Sequence, residues 1–367
     1  MILTIFLIPA LMGILIYHFF MENDSYSRYG KVQSHNRKSL INAGFQVGFS
    51  LLLMLIIGLI SYYSRVGDIQ IINGYVTDKK MEEVSCRHSY QCNCVTSCSG
   101  SGNNRSCTTI CQTCYEHSYD VDWNVYSNIG KFSIDTVDRQ GLRMPHRWEI
   151  TKIGEPVSRA ERYTNYIKAS PDSLFRHHGL IAKYKEYLPD YPDKIYDYWH
   201  VSRLVSVGVG IKNPQEWNQG LAEINAELGA KKQVNMLVFF TNQPSDYFYA
   251  LEQFWVGGKK NDVVLVIGAS SEDEKPKYVQ VMALTQDKVL EVKLRDGIMD
   301  LPNLNPKNVL SVFRDSVDKF YVRKHMKDFE YLKASISPSF LEILIGLILS
   351  IIGSAVFCII VYKNSFE

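Results

Sequence analysis

Neither sign of charge dominates this sequence of 367 residues: 40 Lys and Arg face 38 Asp and Glu, for a formal net charge of +2. No dense Lys/Arg stripe is present, so the electrostatic footprint of a nucleic-acid binder is missing. There is no internal repeat and no pair of interrupted apolar helices, which argues against a secondary transporter. A phosphate-cradling loop is lacking too, because Gly208 and Gly210 are not followed by a third glycine opening a helix. No Ser, His and Asp context points to acyl transfer. Cysteine is scarce outside one segment: of the eight, only Cys358 lies beyond positions 86–114.

What is present begins with three apolar runs, at 2–20, 41–63 and 340–362. A helix rises 1.5 Å per residue, and about 20 mainly apolar residues cross the hydrocarbon core. The reading is an integral, multi-pass membrane protein with three spanning helices. Two spans are the competing number, since the first run is the one open to being a signal peptide, although it lacks a preceding basic residue and a small-residue cleavage site. The loop 21–40 carries Arg28, Lys31, Arg37 and Lys38 against Glu22 and Asp24, so it is expected in the cytoplasm with the tail 363–367. The insert 64–339 then lies on the periplasmic or other extracytoplasmic side. In the last run Gly346, Ser350 and Gly353 put small residues on one helical face, permitting close packing within the chain or between copies.

Cys86, Cys92, Cys94, Cys98, Cys107, Cys111 and Cys114 fall in a stretch rich in Ser, Gly, Asn and Thr. Covalent staples are expected to replace a hydrophobic core there. The odd number leaves one thiol free or paired between chains, and the connectivity is open. Zinc is the alternative, with Cys92, Cys94, Cys111, Cys114, His88 and His117 as available tetrahedral ligands. The oxidising side of the membrane favours disulfides. Asn104-Arg105-Ser106 is a glycosylation sequon only in a eukaryotic source, and His177-His178, adjacent in an extended chain, would point opposite ways.

The insert reads as a β-rich, disulfide-stapled module over 64–162, with strands at 69–76, 121–126, 132–137 and 147–153. A linker with short helices follows over 163–204, then an α/β domain over 205–335. Asn213-Pro214 and Asn305-Pro306 each open a helix, a capping side chain followed by a residue whose missing N–H costs nothing. The near-continuous apolar runs 234–240 and 262–267 predict strands buried on both faces, with further strands at 278–284 and 289–294.

Residues 216–242, EWNQGLAEINAELGAKKQVNMLVFFTN, and 254–271, FWVGGKKNDVVLVIGASS, resemble the TPM domain family, found in exported bacterial envelope and thylakoid lumen proteins. The matching positions are Gly258 and Lys259 at a helix end and Asp262, Val263 and Val264 opening a strand. The likeness covers about 205–330, and the glycine-rich turn usual later in that family is absent here. The fold class implied is an α+β membrane protein: three transmembrane helices, a β-rich cysteine-stapled module and a TPM-like α/β/α layered domain. Some family members are weak phosphatases or bind divalent metal, which implies Asp262, Glu272, Asp273 and Asp296 as candidate ligands, with Glu274 and Asp300 nearby. The preferred expectation is an interaction protein, more a binder than an enzyme, acting in envelope assembly, quality control or recognition. A metal-dependent phosphatase is the alternative. No resident cofactor is expected, zinc at the cysteines or calcium or magnesium on the TPM-like domain being the alternatives. The expected partners are membrane lipid and another envelope or membrane protein, with oligomers allowed and nucleic acid excluded.

Overall fold

The computed structural model describes residues 5–29, 36–100, 106–173, 175 and 179–363. Positions 30–35 of the expected cytoplasmic loop, Asn104 and Arg105 of the sequon, His177, His178 and the tail from 364 onward lie outside the described residues. The helices are α1 (Leu7–Tyr29), α2 (Asn36–Val66), α3 (His146–Ile150), α4 (Tyr166–Ala169), α5 (Leu180–Tyr184), α6 (Pro214–Lys232), α7 (Tyr247–Phe254), α8 (Val289–Met299), α9 (Pro306–Phe320) and α10 (Phe340–Lys363). The strands are β1 (Gly67–Val84), β2 (Ser89–Ser99), β3 (Ser106–Tyr115), β4 (Asp120–Ser127), β5 (Gly130–Ile134), β6 (Pro156–Thr164), β7 (Ile195–Tyr196), β8 (His200–Val201), β9 (Leu204–Val207), β10 (Asn235–Thr241), β11 (Asp262–Gly268) and β12 (Tyr278–Ala283). The chain divides into two compact units: Met1–Asp68, Tyr163–Arg176 and Met326–Glu367 form one, and Ile69–Arg162 with His177–His325 form the other.

In the first unit α1, α2 and α10 pack on one another with polar side chains turned inward. Asn42, Gln46, Ser50, Ser350 and Ser354 are all buried. Gln46 Nε2 donates to Asn42 Oδ1, and Ser350 donates to the Phe6 carbonyl. Gly346 and Gly353 admit neighbouring rings: a Cβ at Gly353 would lie 2.1 Å from Cε1 of Phe49. The outward faces carry Leu11, Leu15 and Phe19 on α1, Leu52, Leu55 and Ile60 on α2, and Ile352 and Ile359 on α10, all exposed. Two helical segments are long and apolar enough to cross a membrane by length and composition, Leu40–Val66 and Phe340–Ile360; the apolar part of α1, Leu7–Phe20, is shorter. Only 11 % and 17 % of their most apolar windows are buried, which is not how a core helix of a soluble protein sits. Much of the expected loop 21–40 is helical instead, since α1 runs on to Tyr29 and α2 starts at Asn36.

The second unit holds two four-stranded sheets. One has the order β5-β4-β1-β6 and closes over Val76, Val121, Trp123, Val125, Ile134, Val157 and Trp199. The expected strand at 147–153 is the short helix α3, whose Trp148 ring packs edge-on against Trp123 at 4.8 Å; β6, which alternation did not single out, supplies the outer strand. The paired β2 and β3 project as an arm whose side chains are nearly all exposed. It has no core of its own and is held by disulfides Cys92–Cys114, Cys94–Cys111 and Cys98–Cys107.

The other sheet has the order β12-β11-β10-β9, with β9, β10 and β11 parallel and β12 antiparallel. All seven residues of β10 and of β11 are buried, as a sheet covered on both faces requires. Met236, Val238 and Phe240 pack against α6, α8 and α9. Leu237 and Phe239 pack instead against α7 and against Tyr184, Leu188 and Tyr191, so part of the expected linker closes the second face. Residues 289–294, expected as a strand, form the start of α8. Leu290, Leu294 and Ile298 are fully buried while Val289 and Val292 are exposed, a spacing of four that only a helix produces.

Candidate functional site

Where β1, β6, α6, β10 and β11 meet within the second unit, buried polar side chains form a continuous network. Asn73 is its hub. Its Oδ1 accepts from Ser158 Oγ and from Arg203 Nη2 at 2.8 and 2.7 Å, and its Nδ2 donates among Asn225 Oδ1, Val234 O and Asn235 Oδ1, each at 3.1 Å. Asn225 Oδ1 in turn accepts from the Met236 amide at 2.8 Å. Asn235 passes the chain on, donating to Asp262 Oδ1 at 2.9 Å; Asp262 Oδ2 accepts from Tyr191 Oη and the Lys259 amide. Burial pushes the Asp262 carboxyl up to about 6 and Arg203 down to about 10. Each charge is expensive alone in a low-dielectric interior, so the intervening amides determine what both can do.

Beside this network lies a cleft of about 510 Å³ lined by Ser158 on β6, by Tyr196, Trp199, His200 and Arg203, and by Asn218 and Glu223 on α6. Its aromatic wall stands on the β7–β8 turn, where Asp197 and Tyr198 adopt left-handed backbone with φ of 43° and 70°. Non-glycine residues hold that conformation only when their surroundings enforce it. The enforcement is visible: Arg147 stacks over Trp199 at 4.4 Å and pairs with Glu155 at 2.6 Å and Asp197 at 3.0 Å. Burial alone would raise the Glu155 carboxyl, but the hydrogen bonds from Arg147 and the Lys152 amide outweigh it and hold it below the usual range. Among the described residues no carboxylate lies within ion-pairing distance of Arg203, whose guanidinium donates only to neutral oxygens, those of Asn73, Ser158, Asn235 and the Val201 carbonyl. A cleft with aromatic walls and a guanidinium lacking a direct counter-ion is suited to a polar or anionic group.

The chain matches no protein-family model, no curated protein and no solved structure.

The acids implied by the TPM resemblance are not brought together. Asp262 opens β11 inside the network, while Glu272 follows its far end, about 20 Å away along the strand, and accepts from the Lys212 amide. Asp273 is exposed and pairs with Lys212, and Asp296 is exposed beside Arg295. Gly346, Ser350 and Gly353 all face helices of their own chain. Of the seven clustered cysteines six are paired, including the four considered for zinc, and Cys111 and Cys114 bond to different partners rather than to each other. Cys86 is a free, buried thiol. Among the described residues it belongs to the one group of three potential metal ligands, with His117 and Asp120. Arg203, Asn73 and the β7–β8 turn escaped sequence reasoning: lone polar residues among strands carry no periodicity, and their convergence exists only in the folded chain.

Proposed function

We propose that this chain is a membrane protein anchored by three helices whose second unit, with a TPM-like α/β domain, serves as an extracytoplasmic interaction module in envelope assembly, quality control or recognition. The observation that carries the reading is the inverted first unit. Amides and hydroxyls are inside on α2 and α10, and Leu, Ile and Phe are outside on all three helices, an arrangement stable in lipid and costly in water. The three disulfides support an oxidising compartment for the arm. A coreless hairpin kept rigid by staples, with Tyr90, Val95, Ile110 and Tyr115 exposed, is suited to contact another envelope or membrane protein. The outward helix faces meet lipid. A weak metal-dependent phosphatase draws no support from the separated acids.

Protease added to sealed membranes should release a fragment from the second unit that carries all three disulfides on non-reducing mass mapping. A reporter near residue 200 that proves cytoplasmic, with reduced thiols in the arm, would overturn the topology. For the arm, a photo-crosslinker at Thr109 should capture a discrete partner in cells. Ile110→Asp should abolish that product while leaving the disulfide map intact; unchanged capture would remove the arm from the interface.

A further inference from the structure

Both ends of the disulfide arm return to a single spot on the sheet. Cys86 lies just before β2, and His117 and Asp120 bracket the entry into β4. Cys86 Sγ is 3.8 Å from His117 Nδ1, which is 3.3 Å from Asp120 Oδ1, and the three potential donor atoms all lie within 4.8 Å of one another. We propose that Cys86, His117 and Asp120 form a zinc-binding site that clamps the root of the arm, with a fourth position open to water.

The geometry separates this from a catalytic cysteine. A thiol–imidazole–carboxylate relay needs its partners on opposite ring nitrogens, so that a proton taken at one is balanced at the other. Here thiol and carboxylate converge on the same nitrogen, Nδ1, as ligands do around a shared ion. Charge points the same way. Asp120 is buried, yet among the described residues only His117 and His88 lie within ion-pairing distance of it, and the Arg87 guanidinium turns away to Asp122 at 2.6 Å. A divalent cation there would meet the Asp120 carboxylate and a Cys86 thiolate directly, at the point where thiol and imidazole now face the carboxylate. Outer partners that orient ligands are also present: the Arg87 amide donates to Asp120 Oδ2 at 2.8 Å and the His88 amide points at Cys86 Sγ at 3.4 Å. Thiolate, imidazole and carboxylate together suit zinc rather than calcium or magnesium, which require several oxygens. Binding forms one Zn–S bond and releases the thiol proton to solvent, with no change of oxidation state.

The test uses the full chain in detergent, oxidised in the arm, with Cys358→Ser removing the other free thiol. After chelation, one equivalent of cobalt should give thiolate-to-cobalt charge-transfer absorption, bleached by one equivalent of zinc and unaffected by magnesium or calcium. With free zinc at about ten times its Kd, alkylation of Cys86 by N-ethylmaleimide should slow about tenfold. His117→Ala and Asp120→Asn should each weaken zinc binding at least roughly tenfold. The alkylation arm leaves all three ligands in place, so it stands even if those variants fail to fold. Absence of the charge-transfer band, an alkylation rate indifferent to zinc, or undiminished affinity in folded His117→Ala would overturn the site.

Discussion

Replacing Asn73 with alanine should lower the stability of the full chain by about 2–4 kcal/mol, the cost of leaving several buried donors and acceptors unsatisfied at once. The change removes an acceptor from Arg203 Nη2 and Ser158 Oγ and a donor from Asn225, Val234 and Asn235. Arg203 keeps Ser158 Oγ, Asn235 Oδ1 and the Val201 carbonyl as acceptors, so the loss falls on the unmade bonds around Asn73 rather than on an isolated charge. Relaxation cannot repair the gap. At Gly229 on α6 an added Cβ would lie 2.5 Å from Asn73 Cβ and 2.7 Å from its carbonyl oxygen, so helix and strand already approach as closely as backbone allows. Urea unfolding in detergent, followed by the fluorescence of the buried Trp199 and Trp217, reads the shift. Lys307→Ala, on the open side of α9, should move the midpoint by less than about 0.5 kcal/mol. A loss below about 1 kcal/mol for Asn73→Ala would mean that this network does not hold the two sheets of the second unit together.

The contrast between legible and illegible parts follows from where the information resides. Strands β10 and β11 announce themselves because a strand buried on both faces must be apolar at every position. The cap of α9 works as its residue types imply, with Asn305 Oδ1 accepting from the Asn308 amide, whereas Asn213, expected to cap α6 in the same way, makes no side-chain cap bond. Helix α8 misleads because Val289, Glu291, Val292 and Lys293 mix apolar and charged residues in a near-alternating run, and two exposed valines mimic a strand face. The stretch before β6 misleads similarly, its aromatic and β-branched residues packing from the helix α3 instead of a ladder. Cysteine pairing depends on the hairpin register, in which Cys98 faces Cys107 while a bulge after Cys92 brings Cys94 to Cys111. No spacing rule contains that bulge. The candidate sites were least legible, since Asn73, Asn225 and Arg203 lie on separate elements and touch only after both sheets have formed.

Raising the pH from 4 to 7 should cost the wild-type chain about 2 kcal/mol relative to Asp262→Asn, an effect located in one carboxyl. Burial pushes Asp262 up to about 6, whereas in the unfolded chain it titrates near 3.9. The folded state therefore binds the proton more tightly. Its contribution to stability is fully present below about pH 4 and is lost as the pH rises through 6. The asparagine variant does not titrate there. The difference in stability between the two proteins should therefore move steadily in favour of the asparagine variant from pH 4 to pH 7. Urea midpoints of both proteins at four pH values in this window measure the change. Parallel profiles would sink the argument and carry a specific meaning: that Arg203, acting through the Asn235 amide, keeps Asp262 ionised, so that the network is a bridged ion pair rather than a buried acid beside a buried cation.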